Sequence, residues 1–369
     1  MSNFSVGSRN RSTEGLWIAV ACRCSGLPIW HSFRPCDFTL QRSLLSFYYS
    51  SLLFRSVLFL ILVAVGVVDF PAQTYAAFED GFIGARAFAM GGAFTAIGEE
   101  SDGLLVNPAS IANLKHRSES RQSAQQLSAT MARLHVGLTD DTSITQNLIS
   151  YAYCRPMRGA LGLLWKKLNA GDLYSEDYIL VGVSKSYTFG AKEKRRISVG
   201  GAFKLLNWDT APTIGADGVV VEDLPGRSRM ALDVGMIFRP SPNIPIALSL
   251  QNLNTPNVAS TNSISTENLP LQVMLGMGIV ANSSTWGMDL VFRESEVDVK
   301  VGIESQFYEE SLILRGGFRL ENLAWGTNLT LGGGYRPFRS LRIDYGFLFP
   351  IGGIRDTLGS HRFSVVYDF

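Results

Sequence analysis

Asp298-Val-Lys-Val-Gly-Ile-Glu-Ser-Gln-Phe307 decides the fold. On an extended chain Val299, Val301, Ile303 and Phe307 fall on one face, and Asp298, Lys300, Glu304 and Gln306 fall on the other. The split recurs in Ala231–Arg239, where Leu232, Val234, Met236 and Phe238 lie opposite Asp233 and Arg239. It recurs again in Leu341–Phe349, where Leu341, Ile343, Tyr345, Phe347 and Phe349 lie opposite Arg342 and Asp344. A soluble sandwich also alternates. Bulky apolar faces opposed by charges of both signs, strand after strand, are what a lipid-facing barrel with a polar interior requires.

Outward from that run, the same period yields fourteen strands: 127–135, 147–154, 159–168, 176–187, 194–208, 230–240, 244–252, 270–281, 286–293, 298–306, 310–320, 326–336, 340–350 and 360–369. An even count suits closure of a single-chain barrel. Arg155-Pro-Met-Arg158, Ser241-Pro-Asn243, Asn282–Thr285 and Pro337-Phe-Arg339 are short connections after even strands, whereas Asp209–Arg229 and Leu253–Leu269 are long ones after odd strands. This asymmetry puts both termini in the periplasm of a Gram-negative-type cell. At the end of the chain Phe363, Val365, Tyr367 and Phe369 share a face, and that ending resembles the C-terminal insertion signal of outer-membrane barrels, which implies the barrel-assembly machinery and outer-membrane lipid as partners. Trp165, Trp208, Trp286, Trp325, Tyr335 and Tyr345 lie toward strand ends or faces, as interfacial girdles would.

Composition agrees: 46% of residues are hydrophobic and only 18% charged, with 36 glycines. Net charge is +1, and the basic run Lys192–Arg196 is a short turn, so no nucleic-acid partner is expected. Arg55, the apolar run Val57–Val68 and the small residues Ala76 and Ala77 have the order of a signal peptide over 51–77. About 13 uninterrupted apolar residues would span only about 20 Å of a roughly 30 Å hydrocarbon core, too few for an anchor. Residues 1–50 fit no secretory n-region and are read as a mis-started or non-structural leader. Six of the 33 Lys and Arg and three of the 32 Asp and Glu precede Phe78, so the mature chain would carry 27 against 29, a net charge of −2, and Cys154 as its only cysteine.

Residues 78–126, ahead of the barrel at 127–369, do not have barrel sequence. Gly84-Ala-Arg-Ala-Phe-Ala-Met-Gly-Gly-Ala-Phe-Thr-Ala-Ile-Gly-Glu-Glu-Ser-Asp-Gly-Leu-Leu-Val-Asn-Pro-Ala-Ser-Ile-Ala-Asn-Leu114 is rich in glycine and alanine, which allow close backbone approach, and its Pro108 removes a backbone donor. The stretch resembles the outer-membrane long-chain fatty-acid transporter superfamily, and more closely its branch typified by the outer-membrane shuttle of type IX secretion. The Gly-Ala-Arg-Ala, Met-Gly-Gly-Ala-Phe and Asn-Pro-Ala series carry the resemblance over about thirty residues. It implies an all-β, fourteen-stranded antiparallel barrel whose N-terminal segment is a hatch in the lumen, with a kinked strand opening a lateral route for apolar ligands. Gly84, Arg86, Phe88, Met90, Gly91, Gly92, Phe94, Asn107 and Pro108 would then be hatch or gating residues. The mature chain, 292 residues, lacks the longer outer loops of the fatty-acid transporters.

The inward charges are Lys204, Asp233, Arg239, Asp289, Arg293, Lys300, Glu304, Arg315, Arg319, Arg342, Asp344 and Arg362, for which a mutually paired lumen network is expected. No G-x-S-x-G elbow, H-E-x-x-H pair or phosphate-binding loop occurs, so no catalytic residue, metal or cofactor is assigned. Two functions follow: passive transport of a hydrophobic, long-chain fatty-acid-like molecule through a hatch-gated lumen, or non-catalytic binding and handover of secreted proteins through the rim loops. Apolar lumen walls favour the first; a charge-filled, closed lumen favours the second.

Overall fold

The run Asp298–Phe307 lies within a longer strand, Glu296–Phe307, in which Asp298, Gly302 and Glu304 are buried and Phe307 is exposed, while Val299 is buried as well. Alternating burial recurs along the strands of a closed sheet, most regularly in Ala124–Leu134, Gly159–Ala170 and Ser360–Asp368. The computed structural model describes Phe78 and residues 83–114, 123–137, 143–155, 158–190, 195–214, 220–222, 226–260, 266–281, 283–294, 296–308, 310–321, 326–351 and 357–369. All belong to one compact unit, and the leader, the signal peptide and Trp325 lie outside the described residues.

In chain order the strands are β1 (Ala124–Leu134), β2 (Ile144–Arg155), β3 (Gly159–Ala170), β4 (Tyr174–Phe189), β5 (Arg195–Thr210), β6 (Thr213–Ile214), β7 (Val220–Glu222), β8 (Arg227–Ser241) and β9 (Ile244–Gln251). They continue as β10 (Gln272–Val280), β11 (Ser284–Arg293), β12 (Glu296–Phe307), β13 (Leu312–Glu321), β14 (Gly326–Phe338), β15 (Leu341–Pro350) and β16 (Ser360–Asp368). All but β6 and β7 form a closed antiparallel barrel in sequence order, so the fourteen expected strands are all present. β6 and β7 form a separate two-stranded sheet in the connection between β5 and β8.

Closure pairs β1 with β16, placing Gln126 opposite Asp368 and Met131 opposite Phe363. Across that seam Gln126 Nε2 donates to Asp368 Oδ1 at 2.7 Å. Phe363, Val365, Tyr367 and Phe369 are all exposed on the outer face. They join a belt that includes Leu127, Ile149, Ile179, Leu232, Leu275 and Leu331, the surface of a barrel that spans a membrane.

One end of the barrel carries only short turns and both termini of the sheet, as the connection lengths require. The opposite end is mixed: it holds the long connections after β5 and β9 but also the three-residue turn Gly171-Asp172-Leu173 and the two residues between β11 and β12. Trp208 departs from its girdle assignment. It points inward at the loop end, stacks on Tyr174 at 6.3 Å between ring centroids, and donates its indole N–H to Val258 O at 2.8 Å. An indole N–H needs an acceptor when buried, and the folded-over loop supplies one.

Candidate functional site

The bore of the barrel is filled by Ile83–Leu114. A single short helix, α1 (Ala85–Ala89), is followed by turns, a 3-10 turn at Ser101–Leu105 and a second at Pro108–Asn113. Helix α1 contacts β13, β14, β15 and β16, while the Pro108–Asn113 turn contacts β2, β3, β4, β5 and β8 on the opposite wall. A segment that touches both sides of a closed sheet lies inside it.

Close packing is achieved with inward-facing glycines. Gly302 and Gly317 are register partners on β12 and β13, and a Cβ on either would collide with the backbone of Met90 or Gly91. Gly91 itself has φ +66°, a left-handed conformation suited to glycine. On the far wall Gly200 and Gly235 are likewise partners, and they accept Asn107 and Pro108 in the same way. Asn107 is fully buried. Its Oδ1 accepts from Ala109 N at 3.0 Å, capping the 3-10 turn that Pro108 opens, and its Nδ2 donates to Thr95 O at 3.1 Å.

Wall side chains tie the segment down at many points along its length. Asp289 Oδ2 accepts from Phe94 N, Thr95 N and Thr95 Oγ1 at 2.7–2.8 Å. Ser364 Oγ accepts from Ala85 N at 2.8 Å, Thr330 Oγ1 donates to Ala89 O at 3.0 Å, and Ser249 Oγ donates to Val106 O at 2.8 Å. Ser101 Oγ and Ser150 Oγ share a hydrogen bond of 2.8 Å. Arg362 donates to Ile83 O at 3.0 Å and lies 3.9 Å over the ring of Phe88, a cation–π contact. These contacts satisfy backbone groups that an irregular segment would otherwise bury unpaired.

The charges form a closed ring. Arg86 binds Glu304 through Nε at 2.7 Å and Nη2 at 3.0 Å, and Glu100 through Nη1 at 2.9 Å. Glu304 also receives Arg315 at 2.7 Å; Arg315 reaches Asp344 at 2.8 Å; Asp344 receives Arg342 at 2.6 Å; and Arg342 returns to Glu100 at 2.6 Å. Three guanidiniums thus alternate with three carboxylates, two from the plug and four from the wall. Burial alone would raise the Glu100 carboxyl, but the Arg342 and Arg86 guanidiniums outweigh it and hold the group down at about 2. Asp102, beside the ring, is pushed up to about 7 by burial and by the Glu100 carboxylate, and its Oδ1 has no hydrogen-bond partner among the described residues.

Every inward charge read from the sequence points into the barrel, but they serve different partners. Lys204 pairs with Asp233 at 2.7 Å and donates to Asn252 Oδ1 at 2.6 Å, securing the loop after β9. Arg239 pairs with Glu99 and donates to Asn113 Oδ1 at 2.7 Å, both in the plug. Arg293 pairs with Asp298 and Arg319 with Glu321 near the loop end, where Lys300 also lies. Gly84, Arg86, Phe88, Met90, Gly91, Gly92 and Phe94 all lie in the buried plug with Asn107 and Pro108. Glu99, Glu100, Asp102 and Asn113 were not singled out by the sequence reading. Their signal was an acidic run, Glu99-Glu100-Ser-Asp102, in a segment otherwise poor in charge.

The lumen is also divided. On β2 to β8, Leu148, Leu164, Leu180, Leu206 and Ile237 form an apolar strip in one cluster with Leu104 and Ile111 of the plug, set among the buried Lys166, Lys204, Asp233 and Arg239 of the same strands, while the charged ring lies against β12 to β15. Among the described residues two small cavities lie beside the plug. One of about 20 Å³ borders the ring, and one of about 50 Å³ lies near the loop end between Val291, Met274, Lys300 and Arg319. Each has room for water but not for an organic ligand.

Fold and filled bore together define a fourteen-stranded membrane barrel with an internal plug. Among solved structures it is similar to the toluene transporter TbuX of Ralstonia pickettii, with a TM-score of 0.54 at 13% identity over 79% of this chain and 99% of that one. It is also similar to the CymD monoaromatic hydrocarbon channel, with a TM-score of 0.53 at 12% identity over 79% of this chain and 97% of that one. No family model and no curated protein matches the sequence.

Proposed function

We propose that this chain is an outer-membrane barrel for passive passage of hydrophobic small molecules, with Ile83–Leu114 as its gate and both termini in the periplasm. The observation that carries the reading is the divided lumen. Leu148, Leu164, Leu180, Leu206 and Ile237 form an apolar strip that a displaced plug would uncover, while the charged wall keeps its hold on the plug through Arg86 and Glu100. A monoaromatic hydrocarbon, as carried by the structural neighbours, or the tail of a long-chain fatty acid would be solvated by such a strip. Gly84, Arg86, Phe88, Met90, Gly91, Gly92, Phe94, Asn107 and Pro108 are the gating residues in this reading. Passage in this reading moves the gate, because the cavities of about 20 and 50 Å³ beside it are too small for cargo.

The charge-filled, closed half of the lumen and the structured loop after β9 favour a second reading, binding and handover of secreted proteins at the rim. One experiment separates the two: purify the protein from its native outer membrane in mild detergent and identify by mass spectrometry what stays bound. A roughly stoichiometric apolar molecule supports transport. Secreted proteins or secretion components, without a small ligand, overturn it in favour of handover.

A further inference from the structure

On the outward face of β2 to β5 the two ends of the barrel differ in charge. Toward the loop end Lys167 has a carboxylate partner of its own, Asp177 at 3.3 Å, which also accepts the Trp165 indole N–H at 3.2 Å. Toward the end that carries both termini of the sheet, the same strands present Arg155, Arg158 and Lys185; Arg158 and Lys185 are exposed and Arg155 is half-buried. Residues 149–155, 159–165, 181–189 and 195–202 contain no Asp or Glu, and none of the three cations is in an ion pair with a described residue.

Register sets these cations around one gap. Arg155 lies opposite Gly159, and Ala160 lies opposite Ser184, so Lys185 is level with Gly159 on its other side. Arg155 and Lys185 therefore stand two strand spacings apart, roughly 10 Å between backbones, with a residue that has no side chain between them. Gly159 has φ +124°, a value that favours glycine, and a Cβ there would crowd Ser184 O, so the gap stays open. Arg158 N donates to Arg155 O at 3.1 Å, closing the turn that carries the third cation. Lys185 Nζ lies 5.3 Å over the ring of Tyr187, and Phe189 stacks on Phe238 at 6.4 Å between centroids. Exposed aromatic rings beside outward cations mark the level where hydrocarbon gives way to headgroups, and an outward lysine costs little there.

We propose that Arg155, Arg158 and Lys185 form a binding site for an anionic phospholipid of the periplasmic leaflet. Its phosphodiester sits over Gly159 between the cations of β2 and β4, and its acyl chains run along the exposed Leu161, Val181 and Val183. A guanidinium takes phosphate oxygens two at a time, while the lysine acts as a point charge. A zwitterionic lipid would bring its own ammonium among three cations that have no described carboxylate to offset them, so net negative charge is selected. The choice of leaflet rests on the reading that both termini are periplasmic. In a reversed barrel the same cations would meet the phosphates of lipopolysaccharide.

The test titrates the purified protein in mild detergent with phosphatidylglycerol, phosphatidylcholine of the same acyl chains, or lipid A, and counts bound lipid by native mass spectrometry. Phosphatidylglycerol should bind at least about tenfold more tightly than phosphatidylcholine, since each neighbouring cation contributes about fivefold. Arg155→Gln with Lys185→Gln should abolish that preference, and Arg133→Gln, at an exposed cation of the loop end, should leave it intact. Should the double variant fail to assemble, salt decides: the wild-type preference should fall severalfold as ammonium acetate is raised. Equal binding of the two phospholipids, or a preference that survives the double variant or ignores salt, overturns the site. Tighter binding of lipid A, lost in the double variant, overturns the phospholipid as occupant. Orientation is read separately with Asn243→Cys in a Cys154→Ser background, since Asn243 is exposed in a turn at the same end. On intact cells a maleimide too large to cross the outer membrane should label it no more than the Cys154→Ser parent. Stronger labelling overturns the periplasmic leaflet and the placement of the termini, while the lipid preference is judged on its own result.

Discussion

Arg86 gives two nitrogens to Glu304 and a third to Glu100, so a single side chain joins the plug to β12 and to its own acidic run. Removing it would leave two carboxylates buried without their main cation. Breaking a buried pair from one side costs about 3–5 kcal/mol. Arg86→Met should therefore lower stability by about that much in urea unfolding, and Arg86→Lys should recover only part of it because an ammonium cannot reproduce the fork. Asp102 has the opposite sign. Its folded pKa, about 7, lies above the ordinary 3.8, so the folded state holds a proton that the unfolded state releases. Its contribution is fully present below about pH 4 and is lost as pH rises to about 7. Asp102→Asn should flatten that decline and raise stability at pH 8 by on the order of 2 kcal/mol. If the pH profile of the variant matches that of wild type, Asp102 does not carry the proton. What the sequence offers of the inward charges is a polarity that alternates residue by residue. It could not show that Arg86 and Glu304, 218 positions apart, complete one ring.

Strands were legible because a period of two survives every change of residue type, and observed ends differ from the expected ones by only a few residues, as for β1 and β8. The plug was legible as a break in that period, although its internal turns were not. Inward glycines were the hidden part. On the page they dilute an alternating pattern; in the barrel they are the floor on which the plug lies. Adjacent residues on β13 make the point testable. A Cβ on Gly317 would collide with Gly91 N, whereas one on Gly316 would meet nothing nearer than 3.9 Å. Gly317→Ala should cost about 1–3 kcal/mol and make the plug more sensitive to protease, as overpacking of a closed core does. Gly316→Ala should leave both properties near wild type. Equal effects from the two would mean that the plug does not depend on that floor.

At the scale of the molecule, the proposed gating is what no strand pattern or motif could state, because it concerns two arrangements of the same contacts. In the structure the plug is held by hydrogen bonds and ion pairs, and the two cavities described beside it are about 20 and 50 Å³. On the proposed transport reading, passage of a hydrocarbon demands that the plug shift or unfold locally, with opening drawn from its weaker contacts. Ser101 and Ser150 offer a way to forbid that motion with little change of shape, since their hydroxyl oxygens are 2.8 Å apart, one on the plug and one on β2. Ser101→Cys with Ser150→Cys, in a Cys154→Ser background, places two sulfurs where a disulfide can close with small adjustments. Uptake of a hydrophobic tracer by cells or proteoliposomes should fall severalfold when this variant is oxidised and recover on reduction, while each single variant stays near wild type. Uptake that persists through the oxidised tether would mean that cargo travels without moving this part of the plug, and the route would then have to run between the plug and the apolar strip on β2 to β8.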